Sequence, residues 1–311
     1  MAAAGSGSCP TQATGPLTTV TYGTVPIAGT APVYAGITAG YFKGVGLDVK
    51  IEAASALGNI VPGVVGGTYE FGFNSLGSVA AAVASNLPVT IVGQMYFHDK
   101  EQEVMVKTGS SIKTIADLKG KTIALGSLNN NYEAGVIELL EQNGLKQSDV
   151  KFTTLPTDQI ATAIEDGQVD AGQINEPYIA SNPGKLTTLL DGLSPFGAGA
   201  ANVYAITNST WASAHKDLVT KFIQALACSE TLAAKDRSAV DTAVESYTTI
   251  SPALEAKVDM PGFGIDLKPD SFNQQTKLMA QLGFLKKDVT SAEAFYNGVD
   301  IDAIAKAAVG S

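Results

Sequence analysis

The chain has 311 residues, 45% of them hydrophobic and 16% charged, which fits a folded globular protein and excludes a disordered one. A net charge of −10 makes nucleic acid and acidic membrane surfaces poor partners. No run of about 18 consecutive apolar residues occurs, so no helix is expected to span a bilayer.

The opening MAAAGSGSCPTQATGP lacks the basic and long apolar regions of a signal peptide, so residues 1–16 read as a flexible tail left after a signal was removed. From Leu17 onward strands and helices alternate. Thr18 to Val25 is expected to be a strand, followed by the loop Pro26 to Pro32 and a helix through Tyr34 to Ala39. Asp48 to Glu52 is the next strand. A small-residue loop, Ala53 to Asn59, leads to a helix carrying Ile60, Val64 and Val65. Tyr69 to Phe73 is a short strand, and Asn74-Ser75 opens a helix with Leu76, Val79, Ala80 and Val83 on one stripe. Strands at Pro88 to Val92 and Glu103 to Lys107 follow.

The segment IKTIADLKGKTIALGSLNNNY, Ile112 to Tyr132, is the most informative. Thr114 and Asp117 have capping-box spacing, Gly120 ends the turn, and Lys121 to Leu125 is a buried strand. The loop Gly126 to Asn131 then opens a helix from Glu133 to Gln142. Helix starts present unpaired N–H groups with partial positive charge, which suits an anionic or strongly hydrogen-bonding ligand. Strands follow at Val150 to Thr154, Val169 to Ala171, Leu186 to Leu190 and Ala201 to Thr207, with a helix from Asp158 to Asp166. From Ser213 the chain reads as helical, with breaks near Ser251, Gly262 and Gly283. This alternation predicts an α/β fold with largely parallel sheets, whose ligands sit beyond the carboxyl ends of the strands.

Several stretches resemble, in order over about 17–210, the substrate-binding proteins of ABC importers, in the sulfonate/nitrate/taurine-binding group with its thiamine-pyrimidine (NMT1/THI5-like) relatives. They are Ala39-Gly40-Tyr41-Phe42-Lys43 with Gly46-Leu47-Asp48-Val49, Gly72-Phe73-Asn74-Ser75, and Ser111 to Lys121. The set continues with Leu139-Leu140, Gly144-Leu145, Asp149-Val150, Gly167 to Ala171 and Glu176-Pro177-Tyr178. The resemblance implies a type II periplasmic-binding-protein-like fold of two α/β lobes, 17–103 plus 205–311 and 104–204, joined by crossover strands near Val104-Met105-Val106 and Val203-Tyr204-Ala205. It implies a monomeric, extracytoplasmic protein, periplasmic or at the cell surface, that closes over a small-molecule solute and presents it to an ABC permease. No cofactor or metal is implied.

Carried onto this chain, the group's cleft positions are Thr30, Ala31, Leu57, Gly58, Asn59, Asn74, Ser75, Tyr96, Phe97, Ser127, Leu128, Asn129, Asn131, Tyr132, Asn175, Glu176 and Tyr178. Ser and Asn at helix starts also serve as plain caps, but three consecutive asparagines exceed what one cap uses. Tyr96, Phe97, Tyr132 and Tyr178 are either aromatic walls or core. Glu176 pairs either with a ligand amine or with a local lysine. His98-Asp99 is expected in an exposed loop, and His215 on the surface. The single arginine, Arg237, reads as a surface residue, so helix ends, amides, hydroxyls or a lysine must hold an anion. Cys9 and Cys228 are free buried thiols, or Cys9 carries a lipid, or in an exported protein the two form a disulfide.

Function follows as an expectation. A sulfonate or carboxylate with a hydrocarbon or ring portion fits best, a thiamine-precursor pyrimidine is the alternative, and a ligand-sensing module is the minor one. An enzyme is not expected. The pyrimidine-synthesising relatives carry a cysteine-rich iron motif and a consumed histidine, whereas here two distant cysteines stand and neither histidine lies in a cleft loop. No Ser-His-Asp set or phosphate-cradling Gly-rich motif appears.

Overall fold

The computed structural model describes residues 9–54, 57–248 and 251–310. Expectations that fall on 1–8, on 55–56 and on 249–250 lie outside them. The first half of the chain runs β1 (Thr18–Thr24), α1 (Ala31–Thr38), α2 (Tyr41–Gly44), β2 (Leu47–Ala53), α3 (Ile60–Val65), β3 (Phe71–Ser75), α4 (Leu76–Ala84) and β4 (Val89–Phe97). After a crossing at 98–101 come β5 (Gln102–Lys107), β6 (Thr122–Leu125), α5 (Asn131–Gln142), β7 (Lys151–Thr154), α6 (Thr157–Glu165), β8 (Ala171–Asn175), α7 (Tyr178–Ser181) and β9 (Leu186–Leu190). A return crossing at 191–200 leads to β10 (Ala201–Asn208). The chain ends in α8 (Ser209–Ala214), α9 (Lys216–Lys235), α10 (Arg237–Tyr247), α11 (Pro252–Glu255), α12 (Pro269–Gln281), α13 (Ser291–Ala294) and α14 (Ile301–Val309).

Two five-stranded sheets result, ordered β2-β1-β3-β10-β4 and β7-β6-β8-β5-β9. The expected parallel pairing holds for β1 with β2 and β3, and for β6 with β7 and β8. It fails at the fourth strand of each sheet. β10 runs antiparallel between β3 and β4, and β5 runs antiparallel between β8 and β9. The reason is connectivity, because each is the strand that has just crossed from the other half and so enters its sheet from the opposite end. β10 is accordingly buried on both faces, and its sequence ANVYAIT is continuous rather than alternating.

The first sheet's core centres on Phe71 and Phe222, stacked at 3.9 Å, with Trp211 edge-on to Phe71 and Tyr22 beside Phe222. Leu76, Val79 and Ala80 are fully buried as expected of the α4 stripe, whereas Val83 is half-buried. The second sheet is covered on one face by Leu118, Val136 and Leu140 and on the other by Ile160 and Ile164. The Thr114–Asp117 capping box is present and holds a short 3-10 turn, Ile115–Leu118. Several boundaries differ from expectation: the strand expected at Pro88 to Val92 runs on to Phe97, and the one expected at Tyr69 to Phe73 lies at Phe71–Ser75. The strand expected at Val169 to Ala171 lies at Ala171–Asn175, an unanticipated helix boundary falls at Asp236, and residues 256–268 are not helical. Among the described residues no helix is long and apolar enough to cross a membrane.

Residues 9–16 of the expected flexible tail are fastened rather than loose. Cys9 is bonded to Cys228 on α9. The Thr11 carbonyl lies on Gly40, at φ +84°, where a Cβ would come within 2.8 Å of it.

Candidate ligand-binding site

The start of α4 and the start of α5 face one another across the two halves. Ser75 Oγ caps α4 by accepting from the Ser78 amide (3.3 Å), and Asn130 Oδ1 caps α5 by accepting from the Glu133 amide (2.9 Å). The Gly77 amide donates to Asn131 Oδ1 (3.3 Å), and a Cβ on Gly77 would stand 2.8 Å from the Asn131 nitrogen. Two helix N-termini, each carrying roughly half a positive charge, therefore converge on one place. Asn131 Nδ2 donates to Gln275 Oε1 (3.0 Å), and Gln275 Nε2 donates to the Ala201 carbonyl (2.7 Å). The three asparagines thus divide their work. Asn130 caps, Asn131 joins the halves, and Asn129, at φ +57°, turns the chain while its amide donates to the Glu133 carboxylate (2.5 Å).

On the first half, Thr30 and Ala31 are fully buried. Thr30 Oγ1 donates to the Ile27 carbonyl (2.8 Å), which also accepts from Tyr247 Oη (3.0 Å). Asn74, also buried, donates from Nδ2 to the Leu57 carbonyl (3.0 Å) and accepts from the Ser75 amide (2.9 Å), so it ties the 57–59 turn to the end of β3. Leu57 is half-buried, whereas Gly58 and Asn59 are exposed. Tyr96 is buried with its ring against Gly29, and Phe97 packs beside Gly262 and Gly264 under the Lys268 ammonium (4.2 Å).

On the second half, Ser127, Leu128 and Asn129 are exposed. Tyr132 belongs to the core, its ring against Gly192 and Val136, rather than standing as a free aromatic wall. Tyr178 is half-buried beside the α6 residues, and Asn175 is half-buried with Oδ1 lacking a partner. Glu176 pairs with no lysine. Its carboxylate accepts from the Ala180 amide and, across the halves, from the Asp259 amide (3.0 Å each). Burial raises its pKa, and the two amides offset this in part.

Other expectations change as well. His98 is not exposed but buried, between Glu101 and Asp191. His215 is half-buried and stacks on Trp211. Arg237 is exposed, as expected of a surface residue, and it clasps the Glu255 and Val258 carbonyls (2.8 and 3.1 Å) and pairs with Asp241, so it braces the segment that delivers Asp259. Tyr34, stacked on Tyr247 at 4.1 Å, Tyr247, Asp259 and Gln275 were missed. Their partners lie far away in sequence, 220 residues for Tyr247 and Ile27, and no local pattern marks them. Replacing Asn129 with glycine, which keeps the positive φ, is expected to weaken ligand binding by roughly 1–3 kcal/mol with little change in stability. Calorimetry that finds equal affinity removes this side chain from the site.

The sheet orders, the crossing strands and the opposed helix starts define a periplasmic-binding-protein fold. The alkanesulfonate-binding protein SsuA from Xanthomonas axonopodis pv. citri bound to MOPS superposes with a TM-score of 0.77 at 18% identity, over 91% of this chain and 99% of that one. Residues 28–238 match the family described as NMT1/THI5 like, and the chain belongs to that family. It is 33% identical over 138 residues to an aliphatic sulfonates-binding protein of Escherichia coli (strain K12); the match spans 42% of each. It is 24% identical over 243 residues to the 4-amino-5-hydroxymethyl-2-methylpyrimidine phosphate synthase of Aspergillus parasiticus, covering 74% of this chain and 69% of that one.

Proposed function

We propose that this chain is an extracytoplasmic solute-binding protein of an ABC importer that captures a small organic anion, a sulfonate or a carboxylate, between its halves without altering it. The observation that carries this reading is the meeting of the α4 and α5 N-termini across the halves. The halves would be close to 17–103 plus 205–311 and 104–204, with β10 from Ala201 falling in the first and β5 from Gln102 in the second, closing about the two crossings, with the closed monomer presented to a membrane permease. Each helix end contributes about 0.3–2 kcal/mol toward an anion, whereas a micromolar site needs about 8 kcal/mol. Apolar contact must supply the remainder, so a ligand with a hydrocarbon or ring portion fits better than nitrate. Leu57, Leu128, Tyr96 and Tyr178 are the side chains proposed for that contact, with Asn59, Asn129 and Asn175 adding hydrogen bonds.

The pyrimidine alternative needs a carboxylate free to take a ring amine. Glu176, the residue proposed for that role, already takes two backbone amides, which favours the anion. A thermal-shift panel of alkyl and aryl sulfonates, taurine, aromatic carboxylates and pyrimidines tests the choice. At a hundredfold excess over Kd a true ligand stabilises the fold by about 2.7 kcal/mol. A shift with pyrimidines alone would overturn the anion reading.

A further inference from the structure

The two crossings between the halves are joined by a charged cluster, with His98 and Glu101 buried and Glu103 and Asp191 half-buried, that the ligand site does not use. His98, on the outgoing crossing, faces Glu101 Oε1 through Nδ1 (3.2 Å) and Asp191 Oδ1, on the return crossing, through Nε2 (2.7 Å). Glu101 also accepts from the Asp99 amide (2.8 Å) and from Asn202 Nδ2 on β10 (3.1 Å), and Asp191 accepts from the Leu193 amide (2.8 Å). The His98 amide donates to the Ala200 carbonyl (2.8 Å), so backbone and side chain tie the same two segments. Burial disfavours the imidazolium, but the hydrogen bonds and charges of Asp191 and Glu101 outweigh it and raise the His98 pKa to about 10.

Glu103, one strand position into β5, is the unsettled member. Its Oε2 is buried without a hydrogen-bond partner, and the nearby Tyr132 Oη on α5, beside the Gly192 amide, has none of normal geometry either. The groups that act on Glu103 are Asp191, His98, Glu101 and Lys100, with Tyr132 opposite. Strand β8 sets uncharged Ile174 and Asn175 beside this part of β5. Burial first, then the charges of Asp191 and Glu101, outweigh His98 and Lys100 and raise the Glu103 pKa to about 7.

We propose that this cluster is a proton-sensitive clasp on the hinge: neutral Glu103 lets the two crossings stay drawn together, and ionised Glu103 draws water into them and loosens the link between the halves. An ionised carboxylate with an unpartnered oxygen is relieved by hydration, and hydration is gained where the crossings part. The direction is fixed: release of the Glu103 proton favours separation of the halves, and uptake favours closure. The inference rests on the reading of the chain as a protein that opens and closes about these crossings.

The test uses ligand-free protein, so failure of the ligand screen and failure of the clasp are separate results. Hydrogen exchange, corrected for intrinsic rate, is followed at 97–104 and 190–202 from about pH 6 to about pH 8, together with the radius of gyration by scattering. Protection in these segments is expected to fall about tenfold relative to the two sheets, as one pKa unit of coupling would give, while the radius of gyration rises. In Glu103→Gln, which keeps the shape without the charge, both profiles are expected to be flat. The clasp is refuted by a wild type whose segments keep equal protection across that range, or by a Glu103→Gln profile that follows the wild type.

Discussion

Reduction of the Cys9–Cys228 bond is expected to lower the free energy of unfolding by about 3–5 kcal/mol. The bond closes a sequence separation of 219 residues, long enough that the cross-link removes much of the freedom of the unfolded chain. Cys228 is buried on α9, the helix that carries Phe222 into the Phe71 stack, so the bond fastens residues 9–16 to the best-packed part of the first half. Urea unfolding with and without a phosphine reductant, with Cys9→Ala/Cys228→Ala as control, measures the effect. Equal midpoints in the two states would show that the cross-link adds nothing. A stable disulfide also matches an oxidising compartment, in keeping with the proposed export.

The second large effect belongs to Glu230. This side chain is fully enclosed on α9, beside a cavity of about 10 Å³ that Gln94 also lines, and neither carboxyl oxygen has a hydrogen-bond partner of normal geometry, although the Gly264 amide lies near enough to act on it. Gln94 cannot turn to help, because its Nε2 donates to the Tyr96 and Val203 carbonyls (2.8 and 3.0 Å), which leaves Oε1 unpaired as well. Burial raises the Glu230 pKa well above the usual carboxylate range, and the Gly264 amide offsets this only in part. A carboxyl whose pKa is raised by folding favours the native state below its unfolded pKa, and that advantage is lost as pH rises above it. Glu230→Gln is therefore expected to match the wild type near pH 4 and to exceed it by about 1–3 kcal/mol near pH 6. Melting curves at the two pH values decide, and a variant less stable at both would mean that the carboxylate has a partner.

What could be read beforehand was local. The Thr114–Asp117 capping box, the α5 helix behind its asparagine loop and the α4 stripe follow from spacings of three or four residues, and each is present. The role of a side chain was legible only where its partner lay nearby. Asn130 caps its own helix, whereas Asn131 reaches Gln275, 144 positions away, and His98 meets Asp191, 93 positions away. Glu176 shows the same limit. Its position beside Pro177 was plain, but its partner, the Asp259 amide, comes from the segment 256–268, which reads as helix on either side of a break near Gly262 and is not helical. The antiparallel entry of β5 and β10 was likewise hidden, because a strand's residues set its burial and not which neighbours it will find.

That β10 stands between β3 and β4 has a consequence for biogenesis. A polypeptide delivered amino-terminus first would hold eight elements of its leading portion with a gap between β3 and β4 until residues 201–208 emerged. Over that interval the facing edges of β3 and β4 lack their ladder, the condition in which chains pair wrongly with one another. Neither portion is severable by a single cut, since a break in one crossing separates a sheet from a strand in its own interior.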